Sequence, residues 1–251
     1  QYKHTPCVAR THGMHAEATT FGLRLAGFYA EAMRQKSRLE KARQEISFAK
    51  LSGAVGNFSQ NPPELENRVL QSLGLHPEPI ATQVVPRDRH AFLMSCLALL
   101  GCSIERLALD IRHLQRTEIG EVEEAFVETQ VGSSALPHKH NPVRAERLCG
   151  LSRLLRANAQ AALENVALGH ERDISHSSVE RVIFADAFQL SHFMLKEITS
   201  VVSTLRVNSE RMAKNLEMSR GTILSQNVLT ALVDRGVDRR EAYRAVQSCI
   251  A

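Results

Sequence analysis

Tryptophan is absent from this 251-residue chain, and aromatic residues make up only 5% of it. Platforms for single-stranded nucleic acid stack bases on aromatic faces inside basic grooves. Here 31 lysines and arginines are scattered against 27 acidic residues, leaving a net charge of +4. That balance argues against nucleic acid as a partner and suits a small anionic ligand. The five cysteines (Cys7, Cys96, Cys102, Cys149 and Cys249) are odd in number and form no Cys-x-x-Cys pair. A disulfide scaffold is thereby excluded, and the usage is that of a reduced, cytoplasmic protein. Long hydrophobic runs are also missing. The longest uncharged apolar stretch, Ala91 to Ile104, ends on Glu105 and Arg106 and is too short to span a bilayer, so it reads as a buried core helix with no membrane partner. Glycine (13) and proline (8) are too few for a collagen-like or disordered chain, while 43% hydrophobic residues can bury a large core. One large domain, or one and a part, is expected.

What is present is helical periodicity. Leu93, Leu97, Leu100, Ile104, Leu107, Ile111 and Leu114 step by threes and fours along one helix, the spacing of a bundle seam. Phe21, Leu25, Phe28, Ala32, Leu39, Ala42, Ile46 and Ala49 form a second stripe; Leu148, Leu151, Leu155, Ala162 and Val166 a third; Phe184, Phe188, Leu195, Ile198, Val202 and Leu205 a fourth. Met33 and Met94 are expected in the core. Breakers gather between the stripes, in Gly53 to Pro63, Gly74 to Pro86 and Gly120 to His140. Strand alternation is nearly absent. The pattern predicts an all-α, long-helix bundle, with helices of roughly 25 to 30 residues that pack near-parallel and leave apolar faces for further copies of the chain.

The segment Gly132 to Pro142, GSSALPHKHNP, concentrates two hydroxyls, a lysine and two histidines. Ser133 and Ser134 offer oxygen bases or nucleophiles, and Lys139 supplies a charge that favours a deprotonated serine. Asn141 reads as an N-cap with Pro142 as the first helical residue, so the loop faces a helix N-terminus, where anions bind. His138 and His140 alternate around Lys139, but its charge opposes a cation and no acidic ligand accompanies them, so no metal is expected.

This string resembles the signature loop of the fumarase/aspartase superfamily, whose members release fumarate by β-elimination; Leu136 stands where methionine is usual. Two further segments refine the resemblance. RTHGMHAEATTFG, from Arg10 to Gly22, looks like the substrate-binding region of the adenylosuccinate lyase family, which implies His12 as general acid and Arg10 and Thr11 as substrate contacts. Without the resemblance, His15 is a cap or polar contact, and Glu17, Thr19 and Thr20 are helix-start residues. ERDISHSSVER, from Glu171 to Arg181, holds Ser177 and Glu180 at capping-box spacing, with Arg172 before the turn and Arg181 in the first helical turn. Cations and hydroxyls so placed can hold phosphate. The resemblance assigns Arg172, Ser177 and Arg181 to a nucleotide phosphate, and Gln83 and Arg87 of TQVVPRD to the substrate. His170 and His176 read as polar loop contacts.

By the same resemblance the fold would be a homotetramer with active sites shared between subunits, and no cofactor is implied. Ser133 would take the proton from the succinyl carbon. Lys139, Asn141 and the Ser134 region would stabilise the resulting charge, and His12 would protonate the departing nitrogen. Glu146 resembles a glutamate that orients the histidine, while its position alone is that of an ordinary first-turn carboxylate. An argininosuccinate lyase, or a structural descendant without turnover, stays open. The chain opens on Gln1 in a running domain and closes in a helical pattern, so it is expected to be a piece of a longer protein. Residues 1–237 would form the central bundle domain and 238–251 the start of a C-terminal helical domain.

Overall fold

The apolar stripes become helices close to the expected bounds. In the computed structural model, which describes residues 1–125, 136 and 139–250, the order is β1 (Pro6–Thr11), β2 (Met14–Thr20), α1 (Phe21–Ile46), β3 (Phe48–Ala49), α2 (Pro63–Leu73), β4 (His76–Pro77), α3 (Asp88–Leu114), β5 (Val122–Glu123), α4 (Val143–Glu164), α5 (Ser175–Thr204), β6 (Arg206–Val207), α6 (Ser209–Glu217), a 3-10 turn (Thr222–Leu224), α7 (Ser225–Asp234) and α8 (Arg239–Ile250). Long helices dominate, at 26, 27, 22 and 30 residues for α1, α3, α4 and α5. The strands pair only as three two-stranded sheets among the described residues.

The chain divides into two compact units. One comprises Gln1–Tyr29, Ile111–Val131 and Leu205–Ala251; the other comprises Ala30–Asp110 and Gly132–Thr204. In the second, α4 packs along α5 and approaches α3 closely at Gly101. A Cβ there would lie 2.9 Å from Leu155 Cδ1, and the Ser152 hydroxyl donates to the Gly101 carbonyl at 2.9 Å. The seam of α3 is buried at Leu93, Leu97, Leu100, Ile104, Ile111 and Leu114, as expected, and so is Met94. That same helix is long and apolar enough by composition to cross a membrane.

Three stripes drift from expectation. On α1, Ala32 is exposed, and Gln35 takes the core position, its amide donating to the Leu99 carbonyl and to Ser103 Oγ at 2.7 Å. Met33 is likewise exposed, so of the two methionines only Met94 is core. On α4, Val166 falls beyond the helix end. On α5 the buried line runs Ile183, Ala187, Ser191, Met194, Ile198 and Val201, while Phe188, Leu195 and Val202 of the expected stripe are 48%, 41% and 43% exposed. The buried line thus includes the small residues Ala187 and Ser191, whereas these three bulkier ones lie on the exposed side.

In the first unit α6 packs on β1, and α7 packs on α8. Asn208 caps α6 by accepting from the Arg211 amide at 2.9 Å, and Asp238 Oδ1 accepts from the amides of Arg240 and Glu241 at the start of α8.

Candidate functional site

Within the second unit the structure brings Gln83, Arg87 and the ERDISHSSVER segment together. Arg172 Nη1 donates to Gln83 Oε1 at 3.1 Å, and the Gln83 amide donates to the Glu171 carbonyl at 3.2 Å. Gln83 is held from its other side by Lys50, whose ammonium gathers the carbonyls of Gly53, Thr82 and Gln83. Burial lowers the pKa of Lys50, and the nearby Glu66 carboxylate opposes that shift.

Helix α5 starts three residues earlier than the capping-box spacing suggests. The Ser177 amide donates to the Ile174 carbonyl, and Glu180 turns to Arg87, with Nη1 to Oε2 at 3.3 Å, instead of reaching back. The cap is Asp173, which accepts from the Ser175 amide at 2.8 Å, the Ser175 hydroxyl and the Gly169 amide at 2.6 Å. Those donors, the hydroxyl foremost, hold the Asp173 carboxyl at about 2. A carboxylate therefore already takes the first amide at this end of α5. Arg172 is exposed three residues before the helix, and Ser177 and Arg181 lie four apart on one face of it. Arg181 stands in the second turn, one turn later than expected.

Arg87, expected to contact substrate, is in contact with two side chains of the same unit. It lies between Glu180 and His90, with Nη1 at 3.0 Å from His90 Nε2. His90 meets the ring of Phe184 edge-on, and burial, aided by Arg87, pushes its pKa down. His176 is 3% exposed inside α5, not a loop contact.

The RTHG segment is a β-hairpin, not a lead-in to a helix. Strands β1 and β2 pair antiparallel from Pro6↔Thr20 to Ala9↔Glu17, then shift to Arg10↔His15 and Thr11↔Met14. Ala16 is the extra residue of the resulting bulge. The shift leaves a two-residue turn, His12-Gly13, with φ of 54° and 79°. Left-handed values at both positions fit the turn that matches strand twist, and histidine enters that region more readily than most residues. His12 and Thr11 are thus exposed at a hairpin tip. Glu17 and Thr19 lie on β2, and of the expected helix-start residues only Thr20 caps α1, accepting from the Leu23 amide at 3.2 Å. Arg10, expected to contact substrate, forks onto Glu121 through Nη2 and Nη1 at 2.6 and 3.2 Å, and Asn215 Nδ2 donates to the same carboxylate at 2.8 Å. Glu121 is wholly buried, a position its acidic surroundings in the sequence do not betray.

Ser133, Ser134 and His138 lie outside the described residues. Lys139 is exposed, and its amide donates to the Leu136 carbonyl at 3.0 Å. Helix α4 begins at Val143 with Pro142 in the cap position and no side-chain cap bond, so Asn141 sits one residue outside the place expected of it. Proline's fixed φ serves at the cap, and its missing N–H leaves none to satisfy there. Glu146 is exposed in the first turn, and on the same stretch Arg144 pairs with Glu197 at 2.6 Å, which holds the Glu197 carboxyl below its usual range.

Residues 1–155 match the family model described as Lyase. The chain is 56% identical over 247 residues to a protein named adenylosuccinate lyase from Thermotoga maritima, covering 98% of this chain and 57% of that protein. It is 54% identical over the same span to one of that name from Synechocystis, again with 57% of the relative covered. Among solved structures, 3-carboxy-cis,cis-muconate lactonizing enzyme from Pseudomonas putida matches with a TM-score of 0.88 at 27% identity, over 99% of this chain and 56% of that one. The chain thus spans a little more than half the length of the relatives it matches.

Proposed function

The chain belongs to the lyase family that its first 155 residues match, and from that premise we propose that it is the central part of an enzyme splitting adenylosuccinate into AMP and fumarate. The same site would release fumarate from the succinyl-carboxamide ribotide of purine synthesis. The observation that carries the substrate assignment is the end of α5, where Arg172, Ser177 and Arg181 stand around a helix start whose first amide is already capped. Two cations and a hydroxyl suit a nucleotide phosphate, with Gln83 held beside Arg172 to meet the rest of the substrate.

In the proposed reaction Ser133 removes a proton from the carbon next to a succinyl carboxylate. A serine hydroxyl ionises only with help, which Lys139 supplies by charge and loop closure supplies by excluding water. The proton's departure places a second negative charge on the carboxylate, which Lys139, Asn141 and the Ser134 region stabilise. His12, exposed at its hairpin tip, then protonates the leaving nitrogen, Thr11 contacts the substrate and Glu146 orients the histidine. No cofactor takes part.

The outward faces of α5 support assembly. Phe188, Leu195 and Val202 are large apolar residues left uncovered within one chain. We assign them to a homotetramer with sites shared between subunits, in the cytoplasm. Residues 1–237 are its central bundle domain and 238–251, opening on the Asp238 cap, begin a C-terminal helical domain.

The test is fumarate release followed by NMR, from adenylosuccinate and argininosuccinate in parallel, with the chain at its natural full length. Release from adenylosuccinate alone is expected. Release from argininosuccinate alone keeps the elimination and overturns the phosphate site, and silence from both overturns the proposal.

A further inference from the structure

The hairpin carrying His12 is tied to its unit by one buried ion pair, and we infer that Glu121, acting with Asn215 through Arg10, is a positioning residue that aims His12 for proton transfer. The inference rests on the assignment of His12 as the proton donor.

Glu121 is fixed at every polar atom it offers. Its amide donates to the Leu114 carbonyl at 2.9 Å, its carbonyl accepts from the Asn208 amide at 3.0 Å, and its carboxylate receives the Arg10 fork and the Asn215 amide group. Asn215 is itself 1% exposed and also donates to the Ile119 carbonyl at 2.9 Å. A planar guanidinium on a planar carboxylate defines direction as well as distance, so Arg10 has one orientation available. The rest of the strand agrees: Cys7 and Val8 are buried, and Arg24 donates to the Val8 carbonyl at 2.9 Å.

Arg10 sits at the first pair beyond the bulge, where β2 carries its extra residue. The bulge breaks the regular ladder there, so the direction of the last two pairs needs an independent constraint. The Glu121 fork supplies it two residues before His12. Two strand residues make a lever of roughly 7 Å, and a tilt of about 10–20° moves its tip by about 1–2 Å. Misplacement on that scale costs a proton-transfer group about 100-fold in rate.

The experiment compares steady-state fumarate release from adenylosuccinate by the full-length enzyme and its variants. In the double variant Arg10→Met/Glu121→Leu, apolar residues of similar volume fill the site and no charge is left buried alone. The expected result is an unchanged tetramer and melting temperature, KM within about 3-fold, and kcat down by about 100-fold. Arg10→Lys keeps the charge and loses the fork, and it should also lower kcat without moving KM. A folded double variant with full kcat would falsify the inference, leaving the pair a purely structural contact. Should the double variant not fold, Asn215→Ala, which spares the ion pair and removes one donor, decides: lowered kcat at constant KM supports the inference and unchanged kcat overturns it. His12→Ala runs alongside. An inactive His12→Ala with a fully active double variant defeats this inference alone, whereas a fully active His12→Ala removes the premise and the inference together.

Discussion

Gly53 and Gly56 sit in the same loop with nearly the same backbone, φ of +87° and +80°, but in different surroundings. A Cβ on Gly53 would find its nearest neighbour, Ser59 Oγ, at 3.9 Å. On Gly56 it would lie 1.8 Å from the Ala81 carbonyl oxygen and 2.8 Å from its carbon. Substitution by alanine therefore separates two costs. Gly53→Ala should lose only the left-handed penalty, about 1–2 kcal/mol. Gly56→Ala carries that penalty plus displacement of a backbone carbonyl, which by the cost of overpacking adds about 1–3 kcal/mol. The two variants should therefore separate in denaturant midpoint, with similar m-values, when unfolding is followed by circular dichroism. A functional difference should accompany this. Ala81 lies two residues before Gln83, and Lys50 clamps the same stretch, so Gly56→Ala should raise KM for adenylosuccinate while Gly53→Ala leaves it alone. Equal destabilisation of the two variants would refute the reasoning, because the backbone penalty would then be the whole effect.

Two other expectations follow from the site. Arg172→Ala and Arg181→Ala should each raise KM by about 10-fold or more through loss of a charge-assisted contact, while Ser133→Ala should abolish kcat and leave nucleotide affinity intact; binding by calorimetry and turnover by NMR separate them, and loss of assembly in all three would sink the site assignment. The second concerns pH. His90 faces Arg87, Glu180, His176, Phe184 and the Pro86 carbonyl, and burial holds its folded pKa below the unfolded value of about 6.5. Stability is then full above that value and declines as pH falls toward the folded pKa, because the unfolded chain takes the proton first. His90→Gln should flatten the decline between pH 7.5 and 5 in urea midpoints, and an unchanged slope would count against it.

The helices were legible because a buried stripe repeats through many turns, so that single errors such as Ala32 do not displace the pattern. Which face of α5 turns inward was not legible. Size alone favoured Phe188 and Leu195, whereas the buried line runs through Ala187 and Ser191. The hairpin escaped notice for a different reason. Its two strands are only six and seven residues long, and the bulge breaks their alternation at Ala16. A His-Gly pair between short strands was the available signal, since both turn residues need positive φ. Among the candidate site residues, Arg172 and Gln83 come from different segments that were each expected to meet substrate, and they are neighbours. The ion pairs of Arg10 and Arg87 could not be anticipated, because their partners Glu121 and Glu180 are distant in sequence and resemble any surface acid.

The single extra residue at Ala16 makes the place of His12 a matter of counting. From Pro6 to Ala9 each pair of partners adds to the same sum of residue numbers, and past the bulge the sum falls by one. Were the ladder to continue without that shift, Ala16 would pair with Arg10 and Met14 with His12, leaving a tip in which Gly13 alone reverses the chain, too tight for a hairpin. Across descendants of this chain, then, the character of residue 16 is free to wander, whereas loss of an amino acid between Thr11 and Met14 moves the histidine out of its post.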